Sequence, residues 1–80
     1  MYHLTCPISN REFSRETLIA IRKLAYAVLT NRGVQKIWIR DGKVKVGSMR
    51  KVGNTVYWRT KGVRTARLVY IDGTIRRKNL

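Results

Sequence analysis

Apolar residues follow two regimes along the chain, one with a helical period and one that alternates. Leu18, Ile21, Leu24, Ala25 and Val28 recur at three- and four-residue spacing, which puts them on one helical face. The spacing predicts a helix over residues 15–31, with Leu29 flanking the stripe. Arg15, Ile19, Arg22, Lys23 and Tyr26 then fall largely on a second, basic face. Asn31-Arg32-Gly33 is a stop signal, because Gly33 suits a left-handed cap. Two starts compete. Ser9-Asn10-Arg11-Glu12 has capping-box spacing, and Ser14 lies just before the apolar pattern.

From Gln35 onward the period changes to two. Ile37-Trp38-Ile39-Arg40, Asp41-Gly42 and Lys43-Val44-Lys45-Val46 predict a hairpin with Asp41-Gly42 as its two-residue turn. In that register Ile39 faces Val44 and Ile37 faces Val46, so these four share a core face. Trp38, Arg40, Lys43 and Lys45 share the other. Gly53-Asn54 and Lys61-Gly62 mark turns around a strand at 55–60, and a second Asp-Gly turn at Asp72-Gly73 follows a long strand at 63–71. The expected strands are 35–40, 43–49, 55–60, 63–71 and 74–77, with Tyr2 to Cys6 as a candidate edge strand stopped by Pro7. Beyond Gly47 the faces stay open. Val56 shares a side with Trp58, and Tyr57 with Arg59, but alternation does not say which side is inward. In 63–71 either Val69 and Ile71 or Leu68 and Tyr70 turn in. The expected fold class is α+β: one domain over residues 1–80, with one amphipathic helix packed on a small antiparallel sheet of three to five strands.

Charge narrows the function. Eighteen Lys and Arg stand against four Asp and Glu in 80 residues, a net charge of +14. That excess destabilises a compact state by self-repulsion. It is well above the ~2–8 charges that keep a small domain soluble. A dense polyanion is the simplest partner that would make use of it, and nucleic acid is the foremost one. The cations interleave with aromatics in Trp38-Ile-Arg40-Asp-Gly-Lys43-Val-Lys45 and in Tyr57-Trp-Arg59-Thr-Lys61. Arg50 and Lys51 lie between those stretches, Arg64 and Arg67 lead toward Tyr70, and Arg76-Arg77-Lys78 is a basic tail. Lys and Arg neutralise phosphates, and an aromatic on the same surface offers a stacking platform for an unpaired base. Trp38, Arg40, Lys43, Lys45, Arg50, Lys51, Arg59, Lys61, Arg64, Arg67, Arg76, Arg77 and Lys78 are therefore the expected nucleic-acid-binding residues. The bland reading of each aromatic is core packing, and Trp58 fits core or surface equally well.

The acids argue against an enzyme. Asp41 and Asp72 sit in Asp-Gly turns, and Glu12 and Glu16 lie where the start of the helix is expected. No pair remains for general acid–base work or for holding a metal. His3 and Cys6 are three apart but have no further His or Cys to complete a zinc site, so no cofactor is expected. One catalytic class survives composition, a small RNA-cleaving toxin that works with Arg, Lys and Tyr. The expectation is a non-catalytic nucleic-acid-binding protein, for DNA or RNA. The runner-up is an interaction module or inhibitor that docks its basic face on an acidic, nucleic-acid-handling protein. No apolar run approaches the ~20 residues of a membrane span, and Met1-Tyr-His-Leu-Thr-Cys-Pro-Ile lacks a signal-peptide pattern. With a single cysteine, the reading is intracellular and cytoplasmic, with no membrane partner and no cleaved targeting segment.

Overall fold

A computed structural model describes residues 1–76 and gives one helix on a sheet. The elements in chain order are β1 (Tyr2–Thr5), β2 (Glu12–Arg15), α1 (Leu18–Arg32), β3 (Lys36–Asp41), β4 (Val44–Val52), β5 (Thr55–Thr60) and β6 (Arg67–Val69). The strands form a single six-stranded sheet in the order β2-β1-β3-β4-β5-β6, and every neighbouring pair is antiparallel. The class is α+β. The expected count of three to five strands is corrected to six.

The correction comes mainly from the N-terminus. Tyr2–Thr5 is an interior strand between β2 and β3, not an edge. Ser9-Asn10-Arg11-Glu12 is no capping box. Its first three residues belong to the hairpin connection from β1 to β2 and Glu12 opens β2; Asn10 adopts a left-handed φ of 57° that asparagine tolerates well. The Cys6 amide donates to Arg11 O at 2.9 Å and the Asn10 amide to Cys6 O at 2.8 Å, which closes that connection. Residues 12–15 are thereby taken into β2, so the helix starts later than expected. Thr17 is the N-cap, and its hydroxyl accepts the Ala20 amide at 3.1 Å. No acid lies in the first turn itself; Glu16 directly precedes the N-cap, near the start of the helix as expected, whereas Glu12 belongs to β2. The C-terminus ends as the sequence predicts, with Gly33 left-handed at φ 68°.

The first hairpin is corrected in register. Its turn is Gly42-Lys43, with Asp41 opposite Val44 and Arg40 opposite Lys45. Continued without interruption, that register would set Ser48 against Ile37 and turn Met49 to solvent. A bulge at Val46 shifts the ladder by one, so that Ile39 faces Gly47 and Ile37 faces fully buried Met49. Val44, expected in the core, is 64% exposed, while Val46 is partly buried.

The core lies between α1 and one sheet face. Ile21, Ala25, Val28 and Leu29 of the helix meet Leu4, Ile37, Ile39, Met49, Val56, Trp58 and Val69 of the sheet. Each large side chain buried there contributes ~1.5–3 kcal/mol. Leu18 and Leu24 of the expected stripe are only partly buried. Trp58 resolves to the core at 3% exposure, and Gly47 is the reason. The indole lies directly over Gly47, where a Cβ would collide with the ring. Indole Nε1 donates to Thr60 Oγ1 at 3.0 Å, so its polar edge is satisfied.

The helix face expected to be basic and to carry an exposed aromatic is corrected in part: Ile19 and Lys23 are exposed, but Arg22 and Tyr26 are not. Arg22 is only 6% exposed, and its Nε donates to Gly73 O at 2.9 Å. Tyr26 is half-buried. The expected long strand at 63–71 reduces to β6, because after β5 the chain turns back: Val63 N donates to Thr60 O at 2.9 Å. The expected strand at 74–77 is represented by a single bridge from Ile75 to Val69. The Asp72-Gly73 turn does reverse the chain, with Gly73 N donating to Tyr70 O at 2.9 Å.

Candidate nucleic-acid interface

With α1 covering one face of the sheet, register alone sets which side chains occupy the other. Ile37 and Ile39 face the helix, so Lys36, Trp38 and Arg40 of β3 face away. On β4 the same side carries Lys45 before the bulge and Ser48 and Arg50 after it. Val56 and Trp58 are buried, which leaves Tyr57 and Arg59 of β5 on the open side. Three cross-strand rows result. Arg40 pairs with Lys45, Trp38 with Ser48 and then Arg59, and Lys36 with Arg50 and then Tyr57.

Trp38 is the centre of one half of this face. Its indole is 38% exposed, and two ammonium groups lie over it, Lys36 Nζ at 4.6 Å and Lys45 Nζ at 4.7 Å from the ring centroid. Lys36 stems from β3 two residues before the indole, and Lys45 from β4, opposite Arg40 two residues after it. Each such contact is worth ~0.5–1 kcal/mol at an exposed site. Tyr57, 36% exposed, is the second aromatic of the face, and both cation–π contacts found here converge on Trp38 instead.

Ser48 lies between the two rings and is 7% exposed. Its small side chain leaves the floor of a shallow depression. One concavity of about 230 Å³ runs past Lys36, Trp38, Ser48, Arg59 and Lys61, and an adjoining one of about 150 Å³ is lined by Lys36, Ser48, Arg50, Tyr57, Arg59 and Arg64 among others. Arg59 Nε donates to Val63 O at 2.8 Å, which ties its guanidinium to the loop that carries Lys61 and Arg64. Among the described residues the acid on this face is Glu12, and it is engaged. Glu12 Oε1 accepts from Arg40 Nη2 at 2.8 Å, while the same nitrogen donates to Thr5 Oγ1 at 3.1 Å.

The expected binding residues thus divide. Trp38, Arg40, Lys45, Arg50 and Arg59 share the open face, with Lys61 and Arg64 along its rim. Lys43 is in the hairpin turn at the end of the sheet. Lys51 and Arg67 lie on the helix side by register, opposite Val56 and Trp58. Arg76 is exposed just beyond β6, and Arg77 and Lys78 lie outside the described residues. Three residues of the site were not anticipated in this role: Lys36, Ser48 and Tyr57. Lys36 is two positions before Trp38 and was accessible from alternation, whereas Tyr57 needed the burial of Trp58 to be known.

Elsewhere, His3 and Ser14 share a hydrogen bond of 2.7 Å between Nδ1 and Oγ, and Cys6 is a buried free thiol. Among the described residues no three His, Cys, Asp or Glu side chains come together as a metal site. No helix among those residues is long and apolar enough to cross a membrane. No family model, no curated protein and no solved structure matches this chain.

Proposed function

We propose that this protein binds nucleic acid, DNA or RNA, through the open sheet face, without catalysis and with limited sequence preference. The observation that carries the reading is the charge balance of that face. Lys36, Lys45, Arg50 and Arg59, with Lys61 and Arg64 at the rim, have no carboxylate within ion-pair distance among the described residues; the ion pairs found are Arg40 with Glu12 and the N-terminus with Asp41. Cations gathered on one side without counter-charges repel one another, and phosphates relieve that repulsion while releasing counterions. Phosphate contacts position a nucleic acid but carry no sequence information, hence the limited preference. We read the protein as cytoplasmic, in keeping with its single unpaired thiol.

The test is a titration of a labelled oligonucleotide over a range of salt. With ~5 phosphates neutralised, log K falls against log salt with a slope of about −4 to −5 for a duplex and about −3 to −4 for a single strand. A flat response overturns the reading. So does a preparation free of nucleic acid that binds no oligonucleotide at low salt yet holds an acidic protein in a one-to-one complex.

A further inference from the structure

Resting on the nucleic-acid reading above, we infer that the open face takes an unpaired strand and that its two aromatic residues have different tasks. Tyr57 stacks on a base, and Trp38 holds Lys36 and Lys45 in place for phosphates.

The width of the sheet argues for an unpaired strand. Six strands at ~4.8 Å spacing span about 24 Å. A major groove is ~12 Å wide and admits a helix or a two-stranded ribbon. This face therefore meets a duplex only at its phosphates, where the exposed ring of Tyr57 has no base to touch. An unpaired strand lays bases and phosphates on the same surface, which matches the mixture of rings and cations here. The shallow floor at Ser48, between the rings, leaves room for a strand to lie close to the sheet.

The division of labour follows from what lies over each ring. Trp38 carries two ammonium groups. A base could stack on it only by displacing one of them, which would give up a cation–π contact and move a phosphate-binding charge. The indole acts instead as a post that limits the freedom of two long side chains, so less rotamer entropy is lost when they grip phosphates. Tyr57 is free of such contacts among the described residues, and it stands beside Arg50 in its row and Arg59 on its strand. A base on its ring keeps its own phosphate within reach of those two guanidinium groups. From strand spacing and rise, the Trp38 and Tyr57 positions are about 12 Å apart across β4. At ~3.4 Å per nucleotide a stacked strand covers that distance in about three to four steps, so the phosphates gripped beside Trp38 belong to other nucleotides than the one stacked on Tyr57.

Binding of the wild-type protein is compared on a short unpaired strand, a duplex of the same length and an abasic strand with the same phosphates, each as DNA, with an unpaired RNA alongside. The inference expects the unpaired strand to bind at least about fivefold more tightly than the abasic one, in line with one base–aromatic stack. Tyr57→Ala removes that difference and leaves duplex and abasic binding unchanged, while Tyr57→Phe retains it. Trp38→Ala weakens all the nucleic acids by a similar factor. Should alanine at position 57 lower the melting temperature, Tyr57→Leu repeats the test with apolar bulk kept. Equal affinity for unpaired and abasic strands, a preference for duplex, or a Tyr57→Ala variant that still distinguishes bases overturns the inference while the nucleic-acid reading stands. Failure to bind any of these ligands overturns both.

Discussion

Replacing Arg22 separates the cations that build the fold from those on the open sheet face. Arg22 lies on α1 and reaches across to the Asp72-Gly73 turn. Its Nε donates to Gly73 O at 2.9 Å, and its guanidinium carbon is 5.2 Å from the centroid of the Trp58 ring. Burial lowers its affinity for the proton, which is the mark of a charge partly withdrawn from water. Arg22→Ala removes a charge-assisted hydrogen bond worth ~1.5–3 kcal/mol and a cation–π contact worth ~0.5–2 kcal/mol, and it strips the packing of the aliphatic stem. Arg22 is only 6% exposed, so the loss of its stem adds to the polar terms. Relief of a buried charge offsets part of the cost. A net loss of ~2–4 kcal/mol follows, and at ~4–8 °C per kcal/mol for a domain of this size the melting temperature drops by about 8 °C or more. Arg22→Met keeps the stem and loses less. Thermal melts followed by circular dichroism measure the first effect. Oligonucleotide affinity, measured where both proteins are folded, checks the second: it stays close to wild type, because Arg22 lies on the far side of the sheet from Trp38 and Arg59. A variant that melts within ~2 °C of wild type but binds oligonucleotide several-fold more weakly would refute the reasoning, since that is the behaviour of an exposed binding arginine.

Two further perturbations test the packing and the turn. Gly47→Ala places a methyl group against the Trp58 ring and the Arg59 carbonyl, so it costs ~1–3 kcal/mol or more in melting experiments and alters the near-ultraviolet signal of Trp58; a silent substitution would mean that the indole does not lie over Gly47. Asp72 accepts from the Thr74 hydroxyl at 2.6 Å and the Thr74 amide at 3.0 Å, and these bonds hold its carboxyl below the ordinary value of 3.8. A depressed folded-state value means that the contribution is present above the unfolded value and is lost as pH falls through the folded one. Wild type is therefore more stable than Asp72→Asn near neutral pH, and the gap narrows as pH drops below about 4; parallel stability curves would contradict this.

The fold was legible where local periodicity and turn chemistry agreed with tertiary packing. The Ile37-x-Ile39 alternation assigned Trp38 and Arg40 to the open face, and Gly33 ended the helix. The first hairpin shows where such reasoning stops. Asp-Gly chemistry favours a two-residue turn at those residues, yet the turn shifted by one and a bulge at Val46 compensated, because Met49 opposite Ile37 fills more core than Ser48 would. Turn preference acts over four residues and core volume over the whole sheet, so no local rule weighs one against the other. The N-terminal hairpin was missed for a related reason. Residues 12–15 have little apolar pattern of their own, and the strand they form depends on pairing with β1.

The site was legible in composition and only partly in position. Arginine at a helix position reads as solvent-exposed, but Arg22 finds a carbonyl 51 residues away and an aromatic face beside it, a pairing that exists only once β5 and the final turn are in place. Tyr57 and Arg59 share a side of β5, and only the depth of Trp58 decides that it is the open one. Gly47 decides that depth in turn, since the one residue without a Cβ on the inner side of β4 is where the largest side chain of β5 lies flat. A glycine that would read as a strand irregularity thus determines which face of β5 stays open. Through Trp58 it also sets the surface on which Arg22 rests, so the orientation of the open sheet face and the anchoring of the helix-docked turn depend on the same missing methyl group.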